Sequence, residues 1–400
     1  MSQSTPAPIR DAVAEPAAAE AQHVALPRDD FDRRVWSVLG MPVDMADIAG
    51  AASAVEAAAR DGRRLSFVTP NLNWLARALL DREARRQIID ADLSLADGAP
   101  VVAIARALGA PIGGRAAGSD VFEALRARPG FRGRGLRVFF FGGRDGAAEA
   151  AAAALSAEKS GFEAAGFLNP GHGDAASMSG EATLAKINAA NPDFLVVALG
   201  AAKGQDWIDR NQGRLSAPVI AHLGAVVDFT GGSIRRAPAI WRKLGLEWVW
   251  RIREEPALWR RYRADAAAFL TVGLPRLLPQ ILAPRRAQTP AGATLENRAD
   301  AVVVRLSGDL FEPGLEPVRQ AFRAAAGSGR AIRLNFAAVN HFDGAFLGLV
   351  LMLEKHTVRR GVALATEALT PAQARMLARN AMVYERAPAE TGAALAAEAV

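Results

Sequence analysis

The 400-residue chain contains no cysteine, only five histidines and only two tyrosines. The absence of cysteine excludes disulfides, thiolate metal sites, iron–sulfur clusters and a cysteine nucleophile, and it is typical of a reducing compartment. The histidines are scattered and no two stand at a metal-ligand spacing, so we expect no zinc centre. No run of about 18 uncharged apolar residues occurs, which predicts that no helix spans a membrane.

Half of the residues are hydrophobic and 22% are charged, a balance that allows a substantial core and excludes global disorder. At this length two or three domains are expected. The formal net charge is +6, which favours an anionic partner: a phosphate, a nucleic acid or an acidic membrane surface. The location of the positive charge along the chain decides among these three.

The first 240 residues divide into a tail and a repeating pattern. Residues 1–32 are rich in alanine and proline and lack a hydrophobic period, so we predict a disordered tail, without the features of a signal peptide. From residue 33 onward, short apolar runs alternate with helical stretches, which predicts a parallel α/β sheet. The apolar runs are 64–68, 93–96, 136–141, 194–199 and 218–223.

Residues 241–287 differ from the rest of the chain. They hold four of the seven tryptophans, and the stretch from Arg235 to Arg286 contains 12 Lys/Arg against 4 Asp/Glu. This local charge of +8 leaves −2 for the remainder, so the chain is not diffusely basic. Arginines suit diphosphates and anionic headgroups, and tryptophans suit a membrane interface. The alternative is an ordinary amphipathic helix with a solvated basic face.

The last hundred residues form a second pattern of strands and helices. Residues 288–300 have the composition of a linker. After them, three apolar strand patterns alternate with three helical patterns, which predicts a separate small α/β domain.

Polar or glycine residues follow the predicted strands. Thr69 and Asn71 follow the first run, either as ligand contacts or as a helix N-cap. Asp97 follows the second run and is either a general base or a turn aspartate. Gly142 and Gly143 follow the third run, where a strand-to-helix turn can offer backbone N–H groups to a phosphate.

The fourth and fifth runs are followed by Lys203 and Gln205 and by Asp228, each of which is alternatively a plain surface residue. Because the carboxyl ends of parallel strands meet at the edge where open α/β sheets bind ligands, this convergence favours a ligand site there. Asp90 and Asp92 form a D-x-D pair at the opposite edge. We interpret them as helix-end or turn residues rather than metal ligands.

Seven segments occur in a specific order: TPNLNWL (69–75), ADGAPVV (96–102), Arg115 with Gly118-Ser119-Asp120, VFFFGG (138–143), NPDFLVVALG (191–200), GAVVDFTGGSIRRAP (224–238) and LEWVWRIREEPALWRRY (246–262). Together they resemble the WecG/TagA/CpsF family of bacterial glycosyltransferases over residues 33–265. The resemblance implies a Rossmann-like parallel-sheet glycosyltransferase domain with a basic helical appendage. It also implies an inverting, metal-independent transfer of an N-acetylhexosamine, its uronic acid or a hexose from a UDP-sugar to a lipid-diphosphate-linked saccharide, usually on undecaprenol.

The resemblance assigns roles to residues. Asp97 matches the family's proposed base. One departure is Ala202-Lys203-Gly204-Gln205-Asp206, where the family usually reads P-K-Q-E, so that Lys203 aligns and the glutamine comes one place later. The expected substrate-binding residues are Thr69, Asn71, Arg115, Asp120, Gly142, Gly143, Lys203, Gln205 and Asp228. The expected acceptor- and membrane-binding residues are Arg235, Arg236, Arg251, Arg253, Arg260 and Arg261.

From this resemblance we expect a role in exopolysaccharide or cell-envelope glycan synthesis, at the inner face of the cell membrane, as a peripheral cytoplasmic protein. The expected partners are a UDP-sugar, a lipid-diphosphate-linked acceptor and the membrane surface, with no metal and no cofactor besides the donor. Nucleic acid is not expected, because the arginines cluster with tryptophans beside an apolar stretch and no nucleic-acid motif appears. A homo-oligomer is left open. The parts are a tail at 1–32, a catalytic domain at 33–240, the appendage at 241–287 and the small domain at 295–390.

The small domain resembles a STAS domain, the fold of anti-sigma-factor antagonists, on LSGDL (306–310), AIRLNF (331–336) and VNHFDGAFLGLVLML (339–353). STAS domains commonly carry Asp-Ser-Ser-Gly-Leu with a phosphorylatable serine, where this chain reads Asp343-Gly344-Ala345-Phe346-Leu347. A phospho-switch at that site is therefore excluded, and a binding or scaffolding role with an unidentified protein partner remains. An alternative function for the whole chain is a catalytically weak, membrane-associated regulatory adaptor that signals through this domain.

Overall fold

The structure is a computed structural model that describes residues 29–130, 133–238, 240–241, 245–283 and 288–387. Residues 1–28, most of the predicted disordered tail, lie outside the described residues. For residues 29–32 the tail prediction is wrong. They form a turn in which Phe31 is buried, with its ring centroid 6.1 Å from that of His356.

A six-stranded sheet, in which all neighbouring strands are parallel, confirms the predicted α/β class. Its strands are β3 (Leu65–Val68), β4 (Leu93–Ser94), β5 (Leu136–Gly142), β6 (Phe162–Leu168), β7 (Phe194–Ala198) and β8 (Val219–His222), in the spatial order β4-β3-β8-β7-β5-β6. All five apolar runs form strands. The sequence analysis missed β6, an edge strand whose side chains are mostly half-exposed, and the antiparallel hairpin of β1 (Val35–Val38) and β2 (Met41–Asp44).

Helices cover both faces of this sheet. They are α1 (Ile48–Asp61), α2 (Leu72–Leu80), α3 (Arg82–Asp90), α4 (Ala99–Ala107), α5 (Gly118–Arg126), α6 (Ala147–Ala157), α7 (Glu181–Ala189), α8 (Ala201–Asn211) and α9 (Gly224–Thr230). Successive side chains of a strand point to opposite faces. Accordingly, Phe140 packs with α1, α5, α6 and α9, whereas Phe139 and Phe141 pack with α7 and α8 around Trp207. The core therefore has two apolar layers, one on each side of the sheet.

The described part of the basic segment includes the helices α10 (Glu247–Glu254), α11 (Leu258–Ala268) and α12 (Leu274–Ile281). A π-helical turn, Phe269–Gly273, joins the last two. Throughout the described ranges, no helix has both the length and the apolar character needed to cross a bilayer.

The described part of the C-terminal unit, residues 288–387, contains a five-stranded sheet and three helices. Its strands are β9 (Gly292–Asn297), β10 (Ala301–Leu310), β11 (Ala331–Phe342), β12 (Leu364–Glu367) and β13 (Glu385–Arg386), and its helices are α13 (Glu316–Gly327), α14 (Gly344–Arg360) and α15 (Pro371–Arg379). The linker prediction for 288–300 is wrong at β9, which pairs antiparallel with β10. An edge strand leaves much of its side-chain surface in water, so a polar composition does not prevent its pairing.

Candidate active site

Loops from distant parts of the chain meet at the carboxyl edge of the six-stranded sheet. The backbone N–H of Asp97 donates to the carbonyl oxygen of Pro70 at 3.0 Å, and that of Ala116 donates to Ala96 at 2.9 Å. Gly98, the N-cap of α4, has a φ of +93°, a conformation that favours glycine. The sharp turn at Gly98 places Asp97 beside both the Thr69-Pro70-Asn71 loop and the Arg115 loop.

Asp97 lies in a cluster of alternating charges. Arg115 places Nη1 3.9 Å from Asp97 Oδ1 and Nη2 2.7 Å from Asp120 Oδ2. The same guanidinium group pairs with Glu247 of α10. Asp120 is also paired with Arg236. The structure thus brings together Asp97, Arg115 and Asp120 of the predicted site, adds Arg236 from the predicted membrane-binding set, and adds Glu247.

Glu247 is the residue that the sequence analysis missed. It lies in the first turn of α10, within the segment that is rich in arginine. One signal could have identified Glu247: it is an acid within a strongly basic segment. Half-buried arginines, such as the one in the predicted site, need carboxylate partners. Its pairing with Arg115 makes the appendage part of the site.

The pKa of Asp97 is raised from 3.8 to about 7. The largest cause is burial, which penalises the charged form. Arg115 opposes the rise, while the nearby carboxylates of Glu247 and Asp120 add to it. A carboxyl group with a pKa near neutrality can both give up and take up a proton under physiological conditions, which is what general acid–base chemistry requires.

The Thr69-Pro70-Asn71 loop lies against the same cluster. A Cβ atom at Gly118 would stand 3.3 Å from Thr69 Cγ2 and would overlap the side chain of Leu223, so the start of α5 approaches this loop closely. Asn71 is the N-cap of α2, and its Oδ1 accepts hydrogen bonds from the N–H groups of Asn73 and Trp74 at 3.0 and 3.3 Å. The Asn71 side-chain oxygen therefore acts as a helix N-cap, the alternative to a ligand contact.

The glycine turn after β5 is only partly available to a ligand. Gly142 and Gly143 have φ values of +88° and +97°. The N–H of Gly143 donates to the carbonyl oxygen of Ala198 at 2.7 Å, so this group is already used in holding the turn to the end of β7. A Cβ atom at Gly142 would lie 2.8 Å from that same oxygen, which requires glycine there.

Lys203 and Gln205 lie on α8, and their hydrogen bonds lead away from Asp97. Lys203 Nζ donates to the carbonyl oxygen of Gly173 at 3.1 Å, and Gln205 Nε2 donates to Asp209 Oδ1 at 3.0 Å. The departure at Gly204 has a physical reason, since any Cβ atom there would overlap the ring of His222. Burial lowers the pKa of His222 to about 4, so this imidazole is neutral at physiological pH.

The remaining predicted site residues are either partly buried, as Asp228 and Arg251 are, or exposed. Asp228 closes a turn, where its Oδ1 accepts a hydrogen bond from Ser233 Oγ at 3.2 Å. Arg251 is half-buried, 5.7 Å from the centroid of the Phe229 ring, and influences the pKa of Asp97. The other predicted membrane-binding arginines are exposed; they are Arg235, Arg253, Arg260 and Arg261.

Arg253, Arg260 and Arg261 lie in the appendage, where large apolar side chains are also exposed. Of the twelve large hydrophobic residues that are exposed in the described part of the chain, seven lie between 240 and 282. They are Ile240, Leu246, Trp248, Trp259, Leu270, Leu278 and Leu282. Such a concentration marks an interaction surface rather than scattered surface residues.

The two carboxylates of the D-x-D pair form ion pairs with basic side chains of the protein itself. Asp90, the last residue of α3, lies 3.3 Å from Arg86 Nε, and Asp92 Oδ1 lies 3.3 Å from Lys355 Nζ. No group of three or more His, Asp or Glu side chains suited to a metal ion occurs among the residues that the structure describes.

Fold and site together define an α/β protein of Rossmann-like topology whose polar site lies at the carboxyl edge of the sheet. The chain belongs to the glycosyl transferase WecG/TagA/CpsF family, whose family model matches residues 36–283. A second model, described as "Mlab, STAS domain", matches residues 293–382. Both resemblances read from the sequence motifs are thereby confirmed.

Two relatives are both N-acetylglucosaminyldiphosphoundecaprenol N-acetyl-beta-D-mannosaminyltransferases. The protein of Bacillus spizizenii is 29% identical over 195 residues, which make up 49% of this chain and 73% of that protein. The protein of Bacillus subtilis is 27% identical over 211 residues, 53% of this chain and 79% of that protein. Among solved structures, the unphosphorylated anti-sigma factor antagonist SpoIIAA is similar over 27% of this chain and 100% of its own, at 20% identity and a TM-score of 0.23.

The raised pKa of Asp97 predicts how its replacement changes stability with pH. Between the unfolded pKa of 3.8 and the folded value of about 7, the folded state holds a proton that the unfolded state has lost, so this group favours folding less as the pH rises. Asp97→Asn should therefore raise the melting temperature at about pH 8 and change it little at about pH 4.

Differential scanning calorimetry over this pH range measures the effect. The control is Asp61→Asn, which changes a half-exposed aspartate at the end of α1. An equal gain at both pH values, or the same pH profile for the Asp61 variant, would contradict the assignment.

Proposed function

We propose that the protein is an inverting, metal-independent glycosyltransferase. It moves an N-acetylhexosamine, its uronic acid or a hexose from a UDP-sugar to an undecaprenyl-diphosphate-linked saccharide during exopolysaccharide or cell-envelope glycan synthesis. The observation that carries this proposal is Asp97, a carboxyl group of near-neutral pKa next to Arg115 at the carboxyl edge of the sheet. The names of the two Bacillus relatives support the acceptor class.

The proposed chemistry needs a base for the acceptor. In an inverting transfer the acceptor hydroxyl attacks the anomeric carbon from the face opposite the departing nucleotide, and its proton must be removed as the new bond forms. The carboxylate of Asp97 takes that proton. A well-placed base of this kind contributes about 10²–10⁴-fold to the rate.

The departing UDP carries negative charge that must be stabilised. Arg115 supplies positive charge beside Asp97, Arg236 does so beside Asp120, and Arg251 adds more from α10. Each guanidinium group is fixed by a carboxylate, the last by Glu255 at 3.1 Å. Fixed charges need little reorganisation as the reaction proceeds, and preorganised charges of this kind often account for most of an enzyme's rate enhancement.

The layout of the sheet suits an extended donor. β4 and β5 are four strand intervals apart, and neighbouring strands are spaced by about 4.8 Å, so the Asp97 loop and the Gly142 turn are about 19 Å apart along the edge. A nucleotide sugar lying along this edge would pass the loops after β3, β8 and β7. Its reacting sugar would be at Asp97.

We further propose that the appendage docks on the inner face of the cell membrane, where the acceptor diphosphate lies. Trp259 and Leu270 would enter the interface, and Arg260 and Arg261 would face anionic headgroups. Each basic residue near such a surface contributes about 1 kcal/mol.

The second candidate is a catalytically weak regulatory adaptor at the membrane. The position of Gln205 favours it, because its amide donates within α8 to Asp209 rather than towards Asp97. A UDP-release screen across UDP-sugars with a short-chain lipid-diphosphate acceptor separates the two functions. Turnover supports the transferase, whereas vesicle binding without UDP release from any donor supports the adaptor.

Asp97→Asn tests the proposed base directly. The variant keeps the size of the side chain but cannot accept the proton, so we expect kcat to fall by about 10²–10⁴-fold. UDP binding, measured by calorimetry, should change little. Sugar transfer at a near-normal rate would exclude Asp97 as the base.

The charges around Asp97 predict opposite pH shifts for two variants. The Glu247 carboxylate raises the pKa of Asp97, and the Arg115 guanidinium lowers it. Glu247→Gln should therefore move the acidic limb of the kcat/KM profile to lower pH, and Arg115→Gln should move it to higher pH. The readout is the midpoint of each limb, which does not depend on the absolute rate. Shifts in the same direction would contradict the role of Asp97.

The exposed apolar residues of the appendage predict vesicle binding. Trp259 and Leu270 are 53% and 59% exposed, and changing both to serine removes apolar area available for burial. Binding to anionic vesicles, measured by sedimentation, should weaken by about tenfold or more. The matched control is Leu80→Ser, which changes a leucine that is 68% exposed at the end of α2. Equal weakening in the control would show that this surface is not the docking face.

A further inference from the structure

The STAS-like domain packs on the transferase domain through the first half of α14. A Cβ atom at Gly348 would overlap the carbonyl oxygen of Val35 in β1, and one at Gly344 would overlap the indole of Trp36. The first obstacle is backbone and the second is a ring only 6% exposed, so neither can move aside easily. This face of α14 is therefore complementary in shape to β1.

Charged groups that would be costly to bury without partners are paired across the same contact. The side chain of Lys355 is fully buried, and its Nζ donates to Asp30 Oδ1 at 2.9 Å and to the carbonyl oxygen of Ala91 at 3.1 Å. Arg85 of α3 donates to both carboxylate oxygens of Glu354 at 2.7 and 3.0 Å. Groups matched in this way lose their partners if the domains separate.

The domain also contacts the appendage. Asn380, which is fully buried, donates from Nδ2 to Gln280 Oε1 of α12 at 2.9 Å and accepts at Oδ1 from Ser37 Oγ at 3.1 Å. Leu277 of α12 belongs to the apolar core that includes β1 and the buried side of α14. One residue of the domain thus joins the hairpin to the last helix of the appendage.

We propose that the partner of the STAS-like domain is the transferase domain of the same chain. The α14 face that carries Gly344 and Gly348 is occupied in cis by β1, and the domain fixes the hairpin and α12 relative to each other. The first serine of the motif typical of STAS domains is replaced here by Gly344, where the contact with Trp36 leaves no room for a side chain. This inference does not depend on which sugar is transferred.

Hydrogen exchange of the full-length protein, read by mass spectrometry, tests the proposal. Gly348→Ala adds one methyl group against the carbonyl oxygen of Val35. The matched control is Gly327→Ala, at the end of α13, where no atom lies within 4 Å of the added Cβ. We expect the amides of β1, β2 and α12 to exchange at least about tenfold faster in the Gly348 variant and unchanged in the control.

A second variant covers the case in which Gly348→Ala fails to fold, which loss of protection in β5 and β7 would reveal. Asn380→Ala adds no atom but removes the hydrogen bonds to Gln280 and Ser37. Faster exchange in α12, with β10 and β11 as protected as in the wild type, supports the proposal. Any of three results overturns the proposal. The β1–β2 hairpin could exchange at the same rate in the wild type and in Gly348→Ala, or the exchange rate of α12 could be unchanged in Asn380→Ala. The hairpin could also lack protection in the wild type.

Discussion

The ion pairs of Arg115 are the interaction on which the site depends. One half-buried guanidinium group faces Asp97, Asp120 and Glu247, which come from the loop after β4, from α5 and from α10. Three carboxylates exceed the charge of one arginine; Arg236 adds positive charge at Asp120, and Arg251 lowers the pKa of Asp97. Asp97 is the most weakly paired of the three, and its pKa is raised mainly by burial, with the carboxylates of Glu247 and Asp120 adding to the rise. Arg115 thus links the proposed base to the appendage, because it faces both Asp97 and Glu247.

The appendage is fixed at two ends. At its start, Glu247 is bound to Arg115, and near its end Gln280 is bound to Asn380 of the STAS-like domain. Between them, Asn73 Nδ2 of α2 donates to Asp265 Oδ1 of α11 at 2.7 Å. Its apolar and basic outer surface is therefore held at a defined position relative to Asp97, so the proposed membrane-bound acceptor would meet the proposed base without a large rearrangement.

The sequence predicted those parts that depend on local pattern. The apolar runs of β3, β5, β7 and β8 identified the sheet because these strands are buried on both faces, and the ordered motifs identified Asp97 and Arg115. It could not predict β6 and β9, because edge strands carry half-exposed or polar side chains. Nor could it show that Arg236 faces Asp120, or that Lys203 faces Gly173, because these contacts depend on how α5 and α8 are rotated in the folded protein.

The departures of this chain from both motif patterns have one physical cause, which is close packing. Glycine within a helix costs about 0.5–1 kcal/mol relative to alanine, so Gly204 in α8 and Gly344 and Gly348 in α14 are unfavourable where they stand unless something compensates. At each position the absent side chain would overlap a buried group: the ring of His222, the ring of Trp36 or the carbonyl oxygen of Val35. A glycine pair four residues apart in a buried apolar helix therefore indicates direct contact with a neighbouring backbone or ring. In α14 it indicates that the segment around Gly344 and Gly348 is a packing surface for β1 of the transferase domain.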